Sequence, residues 1–197
     1  DQSVYFLSKP MVDTPGLWFN YNSGCSMLLS TIFTTSSGKK FGEYVNKNLF
    51  NRIGIDSVYC QEMPAISNAA SGLFLTSREM AKFGLLIARN GQWEQQEVIS
   101  LPWIRQATSH IVHMYGYPFT TGYGYQWWLA TQPLSVGIRD SITVYGAYGW
   151  GGQMIAVVPK YDLVVVVTAV LTKDELQTKD PTLILWNHIL PAITVKK

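Results

Sequence analysis

Apolar side chains follow two different spacings along this chain, and the change falls near residue 120. Up to about residue 107 they recur every three or four positions, which is typical of amphipathic helices. Beyond residue 123 the chain is aromatic and β-branched, which is typical of strands. Helices first, strands later and a closing helix predict a fold of the α+β class.

The first predicted helix has Asn22 or Ser23 as its N-cap and stops at Gly38. Its apolar side chains, which we expect to point inward, are Cys25, Leu28, Leu29, Ile32 and Phe33. The place of Cys25 on this face favours a buried thiol. Cys25 and Cys60 can either pair or stay reduced, so they leave the compartment undecided.

Helix signals recur further along the chain. Residues 41–55 carry an apolar stripe that predicts a second helix. Thr76 and Glu79 form a capping box that opens a third, and a short fourth covers residues 100–107. The closing helix begins at Asp180, which is followed by a proline in the first helical position.

Four strands are predicted in the second part of the chain, over residues 123–129, 142–147, 153–158 and 163–170. The residues between the last two, 159–162, predict a hairpin. Because residues 163–170 are apolar on both faces, we expect this strand to be central in its sheet or covered by helices.

Composition narrows the classes of partner. With 15 basic and 13 acidic residues, the charge of the chain indicates no nucleic acid partner. The charged fraction of 14% is low beside a usual value of roughly 25%, and aromatic residues are dense. Either the chain forms one well-buried domain, or part of its surface is covered by a further segment or a partner. No apolar run is long enough to predict a membrane span.

Tyr21 is the first candidate for chemistry. A phenol has a pKa of roughly 10, so it acts as a base near neutrality only beside a cation that stabilises the phenolate. Tyr21 stands directly before the first predicted helix, inside the segment PGLWFNYNS of residues 15–23. Taken alone, a tyrosine at the start of a helix is usually a packing residue.

The segment of residues 15–23 resembles the second active-site motif, Tyr-x-Asn or Tyr-x-Ser, of the penicillin-recognising serine hydrolases. The similarity continues over residues 37–55, 70–84, 122–128 and 149–168. The chain is thus similar, over nearly its whole length, to the class C β-lactamase-like family, and within it to the esterase and amide-hydrolase branches.

The resemblance implies a β-lactamase/transpeptidase-like α+β fold, in which an antiparallel sheet is flanked by helices and accompanied by a helical subdomain. Residues 1–197 would be a single C-terminal portion of that domain, incomplete at its N-terminus. Residues 1–115 would form its mainly helical part, and residues 116–197 the sheet strands and the closing helix.

The resemblance also implies roles for individual residues. Tyr21 would be a general base or proton relay, with Ser23 as its hydrogen-bond partner. The third family motif, Lys-Thr-Gly or a relative, falls at residues 144–146, so Tyr145 and Gly146 belong to it. Ala147 would then offer the backbone N–H that completes an oxyanion hole.

The family's lysine is absent from residues 144–146. This favours neutral esters or amides over β-lactams, whose carboxylate the lysine recognises in the family. An ordinary strand with a bulge is the alternative interpretation of this segment.

The nucleophile box of the family, Ser-x-x-Lys, has no convincing counterpart in the chain. Ser36 and Lys39 match it as text, but the mechanism needs serine and lysine on one face of an intact helix. Gly38 lies between them and predicts a helix end. We therefore expect the nucleophile to lie upstream of Asp1.

Other residues add little chemistry. His110 and His113 stand three positions apart without a third ligand near them in the sequence, so no metal site is predicted. The resemblance implies no organic cofactor. The Trp127 and Trp128 pair can line a pocket, but a core role for at least one of the two rings is favoured.

The resemblance implies a parent protein that hydrolyses amide or ester bonds by acyl transfer, on a small amide, ester or β-lactam substrate. It also implies a parent in the periplasm or outside the cell, and this chain alone is expected to be inactive. The alternative is a non-catalytic structural, binding or sensor module of the penicillin-binding fold. Its partner would be the missing N-terminal segment or a second copy. Residues 163–170 would then show an edge that is unpaired or paired to another chain.

Overall fold

The computed structural model describes residues 2–56, 58–61, 68–116, 119–133 and 141–193. Its helices are α1 (Gln2–Leu7), α2 (Ser23–Ser37), α3 (Phe41–Val45), α4 (Ser77–Ala88), α5 (Leu101–Ala107), α6 (Lys173–Lys179), α7 (Pro181–Ile184) and α8 (Leu190–Ala192). Helix α3 continues through a π-helical turn, Asn46–Phe50, and a 3-10 turn, Asn51–Ile53. A π-helical turn, Leu185–Ile189, likewise joins α7 to α8.

The strands are β1 (Tyr59–Cys60), β2 (Leu73–Phe74), β3 (Gln92–Trp93), β4 (Gln96–Glu97), β5 (Val112–His113), β6 (Gly122–Tyr123), β7 (Trp128–Pro133), β8 (Ser141–Gly149), β9 (Gln153–Val158) and β10 (Leu163–Val167). The last six form one antiparallel sheet in the order β10-β9-β8-β7-β6-β5. The fold is therefore of the α+β class, with helices around a six-stranded antiparallel sheet. None of the helices described is both long and apolar enough to cross a membrane.

The sheet has a helical layer on each face. Alternate residues of β9 point to opposite sides, so Ile155 and Val157 pack with α4 and α5, whereas Ala156 and Val158 pack with Leu185 and the closing helices. A third apolar cluster joins the α3 region to α4. Strand β9 is consequently the most buried strand, with five of its six residues buried.

The helix starts follow the predicted caps. Asn22, one of the two candidates, is the N-cap of α2, and Gly38 ends the helix in the left-handed conformation. The capping box at α4 is confirmed: the Thr76 hydroxyl accepts the Glu79 N–H, and the Glu79 carboxylate accepts the Thr76 N–H at 2.7 Å. The predicted N-cap Asp180 accepts the Thr182 N–H at the start of α7.

The predicted inward face of α2 is wrong. The buried residues of this helix are Gly24, Met27 and Ser30, whereas Leu29 and Ile32 are 54% and 61% exposed. The helix packs instead through Gly24, Met27 and Ser30, with the ring of Phe6 against Gly24. Periodicity shows which side chains share a face, but the neighbouring elements decide which face is covered.

Cys25 is exposed rather than buried, for the same reason. It lies on the face of α2 that the described neighbours leave open. It forms no disulfide with Cys60.

The predicted strand over residues 123–129 is two strands with a turn between them. Gly124 donates its N–H to the Trp127 carbonyl at 2.8 Å, which closes the turn. Gln126 adopts a positive φ of 65° within it. Because that conformation is incompatible with a continuous strand, the chain reverses from β6 into β7.

Strand β10 lies at the edge of the sheet and not at its centre, and it ends at Val167 rather than at residue 170. Val164 and Val166 pack into the layer of α4, and Val165 packs into the opposite layer. The prediction of helical cover is therefore confirmed, and so is that of an edge. Among the residues described, β9 is the only strand that pairs with β10.

Candidate active site

The segment that leads into α2 ends at Tyr21, whose side chain is 48% exposed. The Asn22 Oδ1 accepts the Gly24 N–H at 2.8 Å and caps the helix. Ser23 is the first residue of α2 and is exposed. Asn22 has an extended backbone, so the chain changes direction directly after Tyr21. No hydrogen bond joins the side chains of Tyr21 and Ser23 in the part of the chain that the structure describes.

Five rings meet where this segment reaches the sheet. We call them the aromatic cluster: Phe19, Tyr21, Tyr123, Trp128 and Tyr148. The ring centroids of Tyr21 and Trp128 are 5.5 Å apart, and those of Phe19 and Trp128 are 5.7 Å apart. Trp128 also meets Tyr123 edge-on at 5.4 Å and lies 6.0 Å from Tyr148. These separations are those of attractive aromatic pairs, so Trp128 joins the tyrosine segment to the sheet.

Strand β8 carries the predicted third motif beside this cluster. Trp128, the first residue of β7, is the direct cross-strand partner of Gly146. Beyond that pair β8 continues for residues 147–149, where β9 is its only strand neighbour among the residues described. The structure thus places Tyr21 against Trp128. Trp128 marks the point beyond which β8 has no strand partner on its β7-facing edge among the residues described.

Gly146 has no side chain, and the phenol of Tyr148 occupies the space that a side chain would take. A Cβ built on Gly146 would lie 2.3 Å from the Cζ and the hydroxyl oxygen of Tyr148. The ring of Tyr148 therefore covers the strand at this position. Tyr145 and Ala147 point to the other face, where they pack against the cluster beneath α4.

Two phenols of the aromatic cluster have a raised pKa. Burial, and then the neighbouring Tyr21, raises the pKa of Tyr123 to about 12. Burial, and then the carboxylate of Asp180, raises the pKa of Tyr148 well above its usual range. Both are neutral hydroxyls at physiological pH. The five cluster residues and the predicted third motif include no lysine or arginine.

The β-lactamase/transpeptidase-like fold that the resemblance implied agrees with the comparison to known families. The Beta-lactamase family matches residues 4–185. The chain belongs to the beta-lactamase family. No curated protein matches the chain.

Solved structures share the fold of this beta-lactamase family chain. A putative 6-aminohexanoate-dimer hydrolase from Bacillus anthracis is 22% identical, with a TM-score of 0.71 over 94% of this chain and 48% of its own. A beta-lactamase from Mycobacterium bovis is 20% identical, with a TM-score of 0.66 over 91% of this chain and 66% of its own. An octameric penicillin-binding protein homologue from Pyrococcus abyssi is 18% identical, with a TM-score of 0.63 over 82% of this chain and 40% of its own. The chain therefore spans 48% of the length of the first of these structures.

Ser36 and Lys39, which match the Ser-x-x-Lys pattern, lie at the C-terminal end of α2, whereas the candidate site lies at its N-terminal end. Ser36 is in the last turn, where its hydroxyl donates to the Phe33 carbonyl, and the left-handed Gly38 ends the helix before Lys39. At 1.5 Å per residue, Ser36 is about 20 Å along the helix axis from Ser23. An overlapping pair that sequence reasoning missed, Ser37 and Lys40, is interrupted by the same glycine. Neither pair shares a helix face or approaches the aromatic cluster.

Sequence reasoning also missed three of the residues that shape the site. Tyr123 and Tyr148 belong to the aromatic cluster. The Gln126 Oε1 accepts the Ser26 hydroxyl at 3.1 Å, which ties the β6-β7 turn to the first turns of α2. The only signal in the sequence was the density of aromatic residues. The core role expected for at least one of the two tryptophans is confirmed, since Trp127 is buried in the core. Trp128 faces the site.

The two histidines singled out by their spacing do lie together. The rings of His110 and His113 are 4.4 Å apart, and the His110 Nε2 hydrogen-bonds with the Thr121 carbonyl at 2.9 Å. No group of three His, Cys, Asp or Glu residues suited to a metal ion occurs in the described segments of the chain.

Proposed function

We propose that this chain supplies part of the active site of a serine hydrolase that cleaves amide or ester bonds through an acyl-enzyme. In this proposal the attacking serine lies outside the 197 residues, and the chain by itself is inactive. The single observation that carries the proposal is the approach of Tyr21 to Trp128, at 5.5 Å between ring centroids, opposite Gly146 of β8. The residues that resemble the second and third motifs of the family are distant in sequence and adjacent in space.

Tyr21 acts as the base in this mechanism. The serine hydroxyl attacks the substrate carbonyl carbon while its proton passes to the phenolate of Tyr21. The phenol then returns that proton to the leaving amine or alcohol as the carbonyl–leaving group bond breaks. In the second half of the reaction water attacks the serine ester, gives its proton to Tyr21, and the serine regains a proton as it leaves.

Tyr21 needs a cation to perform this role, because a phenolate forms near neutrality only beside a positive charge. The aromatic cluster and residues 144–147 supply none, so we assign it to the lysine of a Ser-x-x-Lys box in the parent protein. We assign Ser23, the first residue of α2, as the hydrogen-bond partner of Tyr21 in the parent protein.

Ala147 provides the oxyanion donor in the proposal. It is the residue that directly follows the predicted third motif, residues 144–146. One such backbone donor is typically worth about 3 kcal/mol of transition-state stabilisation. The absence of lysine from residues 144–146 favours neutral amides and esters over β-lactams.

A second candidate function, a binding or structural module, has its own support. The edge of β10 and the exposed apolar side chains of α2, Leu29 and Ile32, are surfaces suited to a further polypeptide. We propose that an N-terminal segment of the parent, or a second copy of the chain, covers them. In an enzyme that segment also brings the serine, whereas in a sensor or scaffold it does not.

Covalent labelling tests the proposal. The chain alone and the full-length parent are incubated with a fluorophosphonate and, separately, with a penicillin, and their intact masses are measured. We expect an adduct on the parent and none on the chain alone. An adduct on the isolated chain at Ser36 or Ser37 would place the nucleophile inside these residues. The absence of an adduct on either protein would favour the binding or structural module.

A further inference from the structure

A cavity of about 350 Å³ adjoins the aromatic cluster and shares the ring of Trp128 with it. Its walls come from three regions: the end of β8 and the start of β9, the segment around Phe119, and the α6–α7 junction. Phe119, Trp128 and Tyr148 give it three aromatic rings. The volume falls within the range of roughly 300–1,000 Å³ that is usual for small-molecule sites.

The charge of this cavity is negative. Asp180 is the only carboxylate among the described residues that line it, and none of those residues is a lysine or an arginine. The other acidic group in the wall, the phenol of Tyr148, stays neutral because burial and the charge of Asp180 raise its pKa. The cavity therefore offers one negative charge within largely aromatic and apolar walls.

Asp180 is held in a fixed orientation. Its Oδ1 accepts the Thr182 N–H at 2.7 Å and the Thr182 hydroxyl at 2.5 Å. Pro181, which stands between them, has no N–H to compete. The second carboxylate oxygen takes part in neither bond, and the described residues of the cavity wall include no cation that would neutralise the charge.

We infer that this cavity is a subsite for an organic cation, a primary ammonium group on a short alkyl chain. Its charge pairs with Asp180, and its methylene groups lie against Trp128 and Tyr148. Aromatic faces attract cations, and a carboxylate prefers an ammonium donor, so the two kinds of wall select the same ligand. The inference rests on the proposed function, because it identifies the substrate as an amide or ester that carries an ammonium group.

Ligand titration by NMR tests the inference without any need for catalysis. The full chain is titrated with n-butylammonium, with the neutral isostere n-butanol and with butyrate, while the indole N–H signals of its tryptophans are followed. We expect n-butylammonium to bind at least tenfold more tightly than n-butanol, and butyrate not to bind.

Two variants test whether Asp180 causes the preference for n-butylammonium over n-butanol. Asp180→Asn removes the charge but keeps a side-chain oxygen for the N-cap, and we expect it to abolish the preference for the cation. Asp162→Asn makes the same change in the β9-β10 hairpin, at a left-handed position that asparagine tolerates, and should leave the preference intact.

Equal affinities for n-butylammonium and n-butanol in the wild-type chain would overturn the inference, as would a preference unchanged in Asp180→Asn. Tighter binding of butyrate would also contradict it, and this comparison requires no variant. A failed titration beside a successful covalent labelling would reject the subsite alone, whereas the reverse result would reject the acyl-transfer proposal alone.

Discussion

The ring of Tyr21 lies 5.5 Å from the indole of Trp128, and Trp128 is the cross-strand partner of Gly146. A tyrosine from the entrance of a helix is thereby fixed against the strand that carries the predicted oxyanion donor. The relationship depends on Trp128, whose indole contacts the ring of Tyr21 and whose backbone is paired with Gly146. It also makes the immediate surroundings of Gly146 sensitive to substitution.

Gly146→Ala is expected to destabilise the chain. The new methyl group would lie 2.3 Å from the Cζ and the hydroxyl oxygen of Tyr148, whose partly buried ring packs against the core cluster beneath the closing helices. Overpacking of this kind costs about 1–3 kcal/mol in the free energy of unfolding, which urea denaturation measures. Tyr148→Leu shortens the opposing side chain and provides the control. The loss in the double variant should be smaller than the sum of the two single losses, and an additive result would contradict the contact.

Tyr21→Phe is expected to lower the rate of acylation of the full-length parent by about 100-fold or more, because the variant cannot accept the serine proton. The stability of the protein should change little, since the Tyr21 side chain is about half exposed. The initial rate of adduct formation with a fluorophosphonate checks this. Ser36→Ala and Tyr59→Phe, which lie away from the aromatic cluster, should retain the wild-type rate. A wild-type rate in Tyr21→Phe would exclude the phenol as the base.

Alkaline pH is expected to destabilise the chain through Tyr123. Its pKa is raised to about 12 in the folded chain by burial and by Tyr21, against a value of roughly 10 when unfolded. The contribution of this phenol is thus fully present below about pH 10 and is lost as the pH rises towards 12.

The difference in unfolding free energy between the wild type and Tyr123→Phe should therefore decline from about pH 10 to pH 12. Urea titrations at fixed pH values measure it. Tyr59→Phe, which removes an exposed phenol, should show no such decline relative to the wild type. A pH-independent difference for Tyr123→Phe would contradict the assignment.

Thr76→Ala is expected to lower the free energy of unfolding by about 1 kcal/mol, because it opens the capping box of α4. Thr172 makes the same capping box at α6, a helix with no buried residue. Thr172→Ala should therefore fray α6 with a smaller effect on global unfolding, since little packing depends on that helix. Thermal melts of the two variants compare them, and equal losses would show that α6 is as tightly coupled to the core as α4.

The local part of this structure was predictable from the sequence. The caps at Asn22 and Thr76, the stop at Gly38 and the hairpin before β10 each depend on residues within a few positions of one another. The same holds for the exclusion of Ser36 and Lys39 as a nucleophile box. The glycine between them predicts a helix end from the sequence, and it ends α2 in the structure. The resemblance of residues 15–23 to a family motif was likewise a property of contiguous sequence.

The arrangement of the site was not predictable in this way. Tyr148 and Gln126 carry no motif, and Asp180 was predicted only as an N-cap. All three acquire a role in the site only through what they contact. The tight turn at Gln126, which separates β6 from β7, was hidden inside an aromatic run that reads as one strand.

By itself the sequence determined the α+β class, the order of the longer helices and strands and several of their caps, because these follow from spacing and from short-range hydrogen bonds. Tertiary structure alone decided that α2 buries Gly24, Met27 and Ser30 rather than the face that carries Leu29 and Ile32. It alone placed Tyr21 beside Trp128. Each of these depends on which surfaces meet across the fold, and the periodicity of a segment contains no information about its distant neighbours.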